Sequence, residues 1–353
     1  MTRIDYLLAR RLLARIGLVL GVLLGLFALA QSLDAGRMRS LNETGGVWLV
    51  ITGVVSVAAR IVLGTLPVPV VIGTILAVLD LQARRELTVI KATGLSIWRV
   101  LRAPVLLALI GGALVSGLIE PAVVNYIKTL PIPSSAPPGS GGVLWMEQTG
   151  ADGAYVLTAE RALQKGSMLE GVTVFLSSTP GRDRIEAPSA TLELGAWVLE
   201  EAIRYQPNLP PEGLGTFKLD TATSAGDMQV RFTQPRDLNL MELWAAWQAR
   251  IADPTTRDAV LTSMIRQLVL PALLAGAVLI GFAFASGYRR TNRQGVAVLY
   301  GVVLGFVVYV VTELASQAGL AGVLDPTFAA AGPAFVAIVI GLTVLLFKED
   351  GRT

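Results

Sequence analysis

Residues Arg84–Leu101 read RRELTVIKATGLSIWRVL. This charged stretch lies between two apolar runs, Ile61–Leu79 and Ala103–Ile119, each close to the length of a bilayer crossing. A hydrocarbon core of about 30 Å takes about 20 helical residues at 1.5 Å each. A connection that only reversed the chain needs about four residues, so this one is longer than a turn requires. Within it, Glu86–Ala92 is made of good helix formers, and Leu87, Ile90 and Lys91 share one helical face. Gly94 is placed to stop that helix and Ser96 to cap the next one. The stretch therefore predicts a short helix on the cytoplasmic membrane surface, with the acid Glu86 at one end and a small apolar face. Two uses fit these residues: a surface helix that anchors the turn, or a docking element for a partner.

Working outward, the same length argument finds further crossings. Uncharged runs at Ile16–Leu33, Ile61–Leu79, Ala103–Ile119, Leu268–Tyr288, Gln294–Thr312 and Pro326–Phe347 predict six transmembrane helices. A shorter run, Val47–Ala59, precedes the second and is separated from it by Arg60; it reads as the outer extension of one long helix kinked at Pro67 and Pro69. Hydrophobic residues make up 53% of the 353-residue chain and the mean hydropathy is +0.61, which places it in the membrane class. The chain has neither cysteine nor histidine. That excludes disulfides, thiol catalysis and Ser-His-Asp triads, and nearly all zinc sites with them.

The formal net charge is only +3, so the placement of charge matters more than its sum. Six crossings with a cytoplasmic N-terminus put residues 1–15, 80–102, 289–293 and 348–353 inside. Arg3, Arg10, Arg11 and Arg15 fall in the first piece, and Arg84, Arg85, Lys91, Arg99 and Arg102 in the second. This obeys the positive-inside rule and puts both termini in the cytoplasm. Ala28-Leu29-Ala30 has the small-residue pattern of a signal-peptidase site. Gly17, Gly21 and Gly25, however, form a helix-pairing face that suits a retained, packed span.

Residues 121 to 240 break the apolar pattern. A linker rich in proline and glycine, Pro131–Gly142, leads into strand-like segments with period-two alternation: Val143–Gln148, Ala154–Ala159, Gly171–Leu176, Ile185–Leu194, Trp197–Tyr205, Thr216–Leu219 and Met228–Phe232. They predict an inserted all-β domain, a sandwich or jelly roll, on the outer side of the membrane. Its glutamates are scattered and read as solvated strand faces. Helical character returns near Leu238–Ile251. The expected domains are 1–120 with three spans, the β domain at 121–240, and 241–353 with three more. Asp34, Arg60, Glu120 and Glu313 stand at or near outer span ends, where the penalty for charge is smaller than at the bilayer centre.

Glu86-Leu87-Thr88-Val89-Ile90-Lys91-Ala92-Thr93-Gly94 resembles the coupling segment of the lipopolysaccharide-export permeases LptF and LptG. The N-terminal DYLLARRLL, the position of the β domain after the third span and the last two spans resemble the same family, so the likeness covers the whole chain. The short loop after span four and the run GVVLGFVVYVVTEL look more like LptG than LptF. The resemblance implies a transmembrane pair with an LptF-type partner, in the bacterial inner membrane, with the β domain periplasmic. It implies that an LptB-type ATPase dimer docks on Glu86, Leu87, Ile90, Lys91 and Gly94, and that lipopolysaccharide leaves toward an LptC-type bridge protein. It implies no nucleic-acid partner. The chain lacks a G-x-x-x-x-G-K-[ST] loop; ATP and Mg are expected on the ATPase and no cofactor on this non-catalytic chain.

The resemblance also implies that basic residues just past span one meet the lipid's phosphates. Arg37 and Arg39 occupy that place, while Gln31 falls where relatives can carry lysine. Headgroup snorkelling accounts for the two arginines equally well. Glu313, in the fifth span, is expected at a lateral gate or helix pair, as are Gly17, Gly21 and Gly25. The paralogous LptF and an FtsX- or MacB-like permease are the nearest alternatives, the latter disfavoured because its large outer domain follows the first span. A membrane-anchored sensor has no need of six spans. Reporter fusions test the topology: a fusion at Pro138 should read periplasmic and one at Gly94 cytoplasmic. A cytoplasmic signal from Pro138 would sink the six-span reading.

Overall fold

The computed structural model describes residues 3–86, 97–130, 144–150, 153–163, 167–176, 183–193, 195–206, 209–221, 235, 238–248, 254–286 and 294–350. Two compact units divide the chain. One combines residues 1–132 with 261–353, and the other holds 133–260. The first carries the helices α1 (Arg3–Ser32), α2 (Ala35–Gly64), α3 (Pro67–Ala83), α4 (Ile97–Leu114) and α5 (Glu120–Thr129), most of α7 (Pro254–Ser286), and α8 (Gln294–Leu320) and α9 (Pro326–Asp350). The second contains strands β1 (Leu144–Gly150), β2 (Gly153–Ala159), β3 (Arg161–Leu163), β4 (Met168–Leu176), β5 (Arg184–Glu193), β6 (Ala196–Tyr205) and β7 (Glu212–Asp220), then helix α6 (Leu240–Gln248).

Among the described residues, six helices are long and apolar enough to cross a membrane: Asp5–Ser32, Leu41–Gly64, Trp98–Thr129, Pro254–Ala285, Leu299–Leu320 and Pro326–Phe347. The number matches the sequence reading, and the kink expected at Pro67 and Pro69 in the second appears as a break in the helix. The apolar stretch breaks at Thr65–Leu66, leaving Leu41–Gly64 as the candidate span and Pro67–Ala83 as a shorter apolar helix. Pro67 and Pro69 cause the break, because neither has an N–H to continue the ladder. The Thr65 carbonyl instead accepts the Val68 N–H at 3.0 Å. A second discontinuity sits at Gly46, whose φ of 67° and ψ of −166° only glycine adopts readily. There the chain folds back far enough for Leu41 to pack beside Gly53.

Helix α3 is the centre of this unit. Val70, Val71, Ile75, Val78 and Leu81 are buried in its core cluster with Leu8 of α1, Val100 and Leu101 of α4, and Val278 and Phe282 of α7. Glycines set the closest approaches. A methyl group on Gly73 would lie 2.7 Å from the Ile16 Cα of α1, and one on Gly281 of α7 would lie 3.0 Å from the Val71 carbonyl oxygen. Lipid tails are as apolar as leucine, so membrane helices associate through such close packing rather than through hydrophobic exclusion.

In the second unit every described strand pair is antiparallel. The order is β1-β2-β4-β5-β6-β7, with β3 pairing against β4. The insert is thus all-β as expected, and the described strands run as a meander. Thr216–Leu219 lies within a longer β7, β3 was not anticipated, and the expected strand Met228–Phe232 falls outside the described residues. Alternation buries Tyr155, Leu157, Leu169, Val174, Ile185, Trp197 and Leu199 on one face. The sheet curls until Gly150 of β1 meets the Asp220 carbonyl of β7, an approach with no room for a side chain.

A buried glutamine holds this curl together. Gln148 Oε1 accepts hydrogen bonds from Tyr155 Oη (2.9 Å), Trp197 Nε1 (2.8 Å) and Thr221 Oγ1 (2.9 Å). It thereby joins β1, β2, β6 and the end of β7. Burial pushes the Tyr155 phenol above its usual value, which keeps it a neutral donor. At the other end, hydrogen bonds from Gln206 and Arg204 hold the Asp183 carboxyl below its usual value. Gln148→Leu should cost about 1–3 kcal/mol for each buried donor left unsatisfied. In the full chain, limited proteolysis within 144–220 should then begin at lower denaturant, with Gln148→Glu less affected because the acceptor remains.

Candidate functional site

Of the functional residues expected from sequence, Gln31, Arg37, Arg39 and Glu86 fall at the two ends of α1. This helix runs 30 residues, about 45 Å at 1.5 Å per residue, and packs against α2, α3 and α4. At its C-terminal end the chain reverses through Leu33 and Asp34, whose backbone N–H groups bond back to Ala30 and Gln31. Gln31 thus ends α1 while Arg37 and Arg39 begin α2, so all three candidate lipid-contact residues share one hairpin tip. The Arg39 side chain is exposed.

At the opposite end, α3 stops with Arg84 and Arg85 in a turn, and Arg85 takes a left-handed φ of 57°. Glu86 follows directly. Its Oε1 accepts a hydrogen bond from Arg11 Nη2 at 2.7 Å, while Arg11 Nη1 donates to Asp80 Oδ2 at 3.0 Å. Arg15 pairs with the other oxygen of Asp80 at 3.1 Å, and Arg84 also reaches it at 3.5 Å. Glu86 Oε2 is buried with no hydrogen-bond partner among the described residues. Leu87, Ile90, Lys91 and Gly94 lie outside the described residues. On the far side of that segment, Arg102 of α4 donates to Asp5 Oδ2 of α1 at 2.9 Å.

Sequence reading counted Arg11 and Arg102 only as cytoplasmic charges and assigned no partner to either. Their pairing was invisible because the partners lie 69 to 97 residues apart in the chain. The glycine stripe does not join this cluster. Among the described residues, a methyl added to Gly17, Gly21 or Gly25 would meet nothing within 4 Å, so no described residue covers this face of α1. Gly301 and Gly305 of α8, in contrast, pack on Ile75 and Val68 of α3.

Glu313 lies elsewhere again. It lines a small cavity with Glu120, Arg266, Gln267, Tyr309 and Ser316, closed by Leu63, Pro67 and Leu273. Gln317 donates to Glu313 Oε1 at 2.9 Å. A π-helical turn at Val115–Ile119 between α4 and α5 puts Glu120 in this cavity; the Glu120 N–H bonds the Val115 carbonyl five residues back. Arg266 and Arg60 supply the charges that act on the Glu120 carboxylate. Arg266 escaped notice because it stands just before the uncharged run that begins at Leu268. No group of three or more acidic residues suited to a metal ion occurs among the described residues.

A family model described as "Lipopolysaccharide export system permease LptF/LptG" matches residues 6–347. No curated protein matches the chain. The Glu120 cluster yields a packing prediction. Arg266→Met removes a cation from the cavity it shares with the half-buried Glu120 carboxylate, a change that costs about 1–3 kcal/mol when a partly desolvated polar group loses its compensation. The folded yield in detergent should fall sharply, and Glu120→Met added to Arg266→Met should recover most of it. Equal yields for the single and double variants would show that Glu120 does not depend on Arg266.

Proposed function

The chain belongs to the LptF/LptG family of lipopolysaccharide export permeases, and from this premise we propose that it is the LptG-type subunit of the exporter. In this reading it pairs with an LptF-type permease. A dimer of an LptB-type ATPase docks on the segment that starts at Glu86, and lipopolysaccharide passes to an LptC-type bridge. The chain itself hydrolyses nothing; ATP and Mg reside on the ATPase. The membrane is the bacterial inner membrane, with both termini cytoplasmic and the β domain periplasmic.

The observation that carries this reading is the division of α1 between two chemistries. One end of the helix holds Gln31 beside Arg37 and Arg39, residue types suited to the phosphates of a lipid headgroup. The other end is ion-paired to Asp80, Glu86 and Arg102, the flanks of the docking segment. The concentration of Arg11, Arg15, Arg84 and Arg102 there supports the cytoplasmic assignment of that end. The glycine face of α1, which no described residue covers, supports pairing with a second membrane helix, because small residues let backbones approach.

Affinity capture of the tagged chain from membranes tests the proposal. An ATPase with a P-loop and a second six-span permease should copurify, and lipopolysaccharide should crosslink to a photoreactive residue placed at Gln31. Recovery of the chain without an ATPase would overturn it.

A further inference from the structure

The ion pairs at the cytoplasmic end of α1 have a property that charge counting does not reveal. They bracket the docking segment. Before it, Arg11 spans two carboxylates with one guanidinium, Asp80 in the last turns of α3 and Glu86 just past its end. After it, Asp5 takes Arg102 on the first turns of α4. Both brackets originate on one helix, six positions apart. Asp5 is 4% exposed and the Arg11 side chain 22%, while the Arg102 side chain is half exposed; each bracket is therefore anchored by a group on α1 that is held back from solvent, unlike a fully exposed pair. Partly desolvated, two-armed guanidinium–carboxylate contacts are short and directional. The left-handed Arg85 between Asp80 and Glu86 adds to this. A non-glycine residue there costs about 1–2 kcal/mol, and the Arg11–Glu86 contact holds the chain in that turn.

We infer that Arg11 and Asp5 are positioning residues that tie the docking segment to α1, so that displacement of the segment moves α1 as a rod. The inference rests on the functional reading above and adds the route of transmission. Movement imposed between residues 86 and 102 reaches α1 at both flanks at once. Gly73, seated on the Ile16 backbone, keeps α1 and α3 in register where the rod enters the bundle. From Arg11 to Gln31 the helix is uninterrupted by proline, so motion at Arg11 arrives at the hairpin tip bearing Gln31, Arg37 and Arg39. A segment held only by its own turn could be displaced with α1 at rest; a segment clamped at both flanks cannot.

The test uses the complete transporter in proteoliposomes, with lipopolysaccharide as cargo and lipid released per ATP hydrolysed as the readout. Arg11→Gln combined with Asp5→Asn should leave the ATPase bound and hydrolysing while the ratio falls roughly 5-fold or more. A merely structural role would lower complex yield and leave the ratio of the surviving complexes unchanged. The charge swap Asp5→Arg with Arg102→Asp should recover the ratio relative to either single change. Because the chain has no cysteine, Asp5→Cys with Arg102→Cys offers a second route that does not depend on electrostatics. The ratio should be low in the free thiol form and rise when a short bismaleimide bridges the pair. An unchanged ratio in the double variant at normal assembly, or no recovery on bridging, would overturn the inference alone. Failure of the unmodified chain to couple hydrolysis to release would overturn the functional reading and this inference with it.

Discussion

Close backbone contact at α3 is the constraint on which the membrane unit is built. Hydrocarbon gives apolar helices no reason to prefer one another over lipid, so specificity comes from shape and from the few polar groups present. Helix α3 has its neighbours pressed onto it at glycines: its own Gly73 against α1, Gly281 of α7 against Val71 and Thr74, and Gly301 and Gly305 of α8 against Ile75 and Val68. Each contact allows a separation that a single methyl group would widen. Helices held this way have few alternative arrangements, because packed interfaces are not continuously deformable. The prolines at 67 and 69 belong to the same design. They break the apolar stretch, so that Leu63 and Pro67 meet the polar cavity at one point along it.

Helix α1 belongs to this rigid centre on one side only. One side is clamped to α3, while no described residue covers the side bearing Gly17, Gly21 and Gly25. Its two ends carry different chemistry, carboxylate–guanidinium pairs at one and the arginine-bearing hairpin tip at the other. The helix is therefore well placed to carry displacement across the membrane, a role that needs a firm hold at one end and freedom along one face. The β unit follows other physics. It is built around a conventional apolar core, and its curl is secured by a polar hub in which one glutamine oxygen serves three donors. The amide nitrogen of Gln148 has no hydrogen-bond partner among the described residues, a desolvation cost that the three bonds on the oxygen offset.

What the sequence by itself determined follows from local rules. The number of spans follows from apolar run length, because 1.5 Å per residue against a 30 Å core leaves little choice. The β insert was legible because period-two alternation and glycine punctuation are properties of neighbouring residues; strands β1, β2 and β4 to β7 were read within a few residues of their ends. Family membership was legible from short motifs around Glu86 and Tyr6 together with the order of the segments. Only the tertiary structure decided which charges meet. Arg11 with Glu86 and Asp5 with Arg102 join residues far apart in the chain, and Glu120 comes to line one cavity with Arg266; no periodicity encodes such a placement. The second apolar stretch broke for a related reason. Run length treats Arg60 as a boundary, whereas the backbone yields where N–H groups are missing, at Pro67 and Pro69. Likewise the π-helical turn that brings Glu120 into its cavity adds no apolar signature of its own, since it differs from α-helix only in which carbonyl each N–H finds.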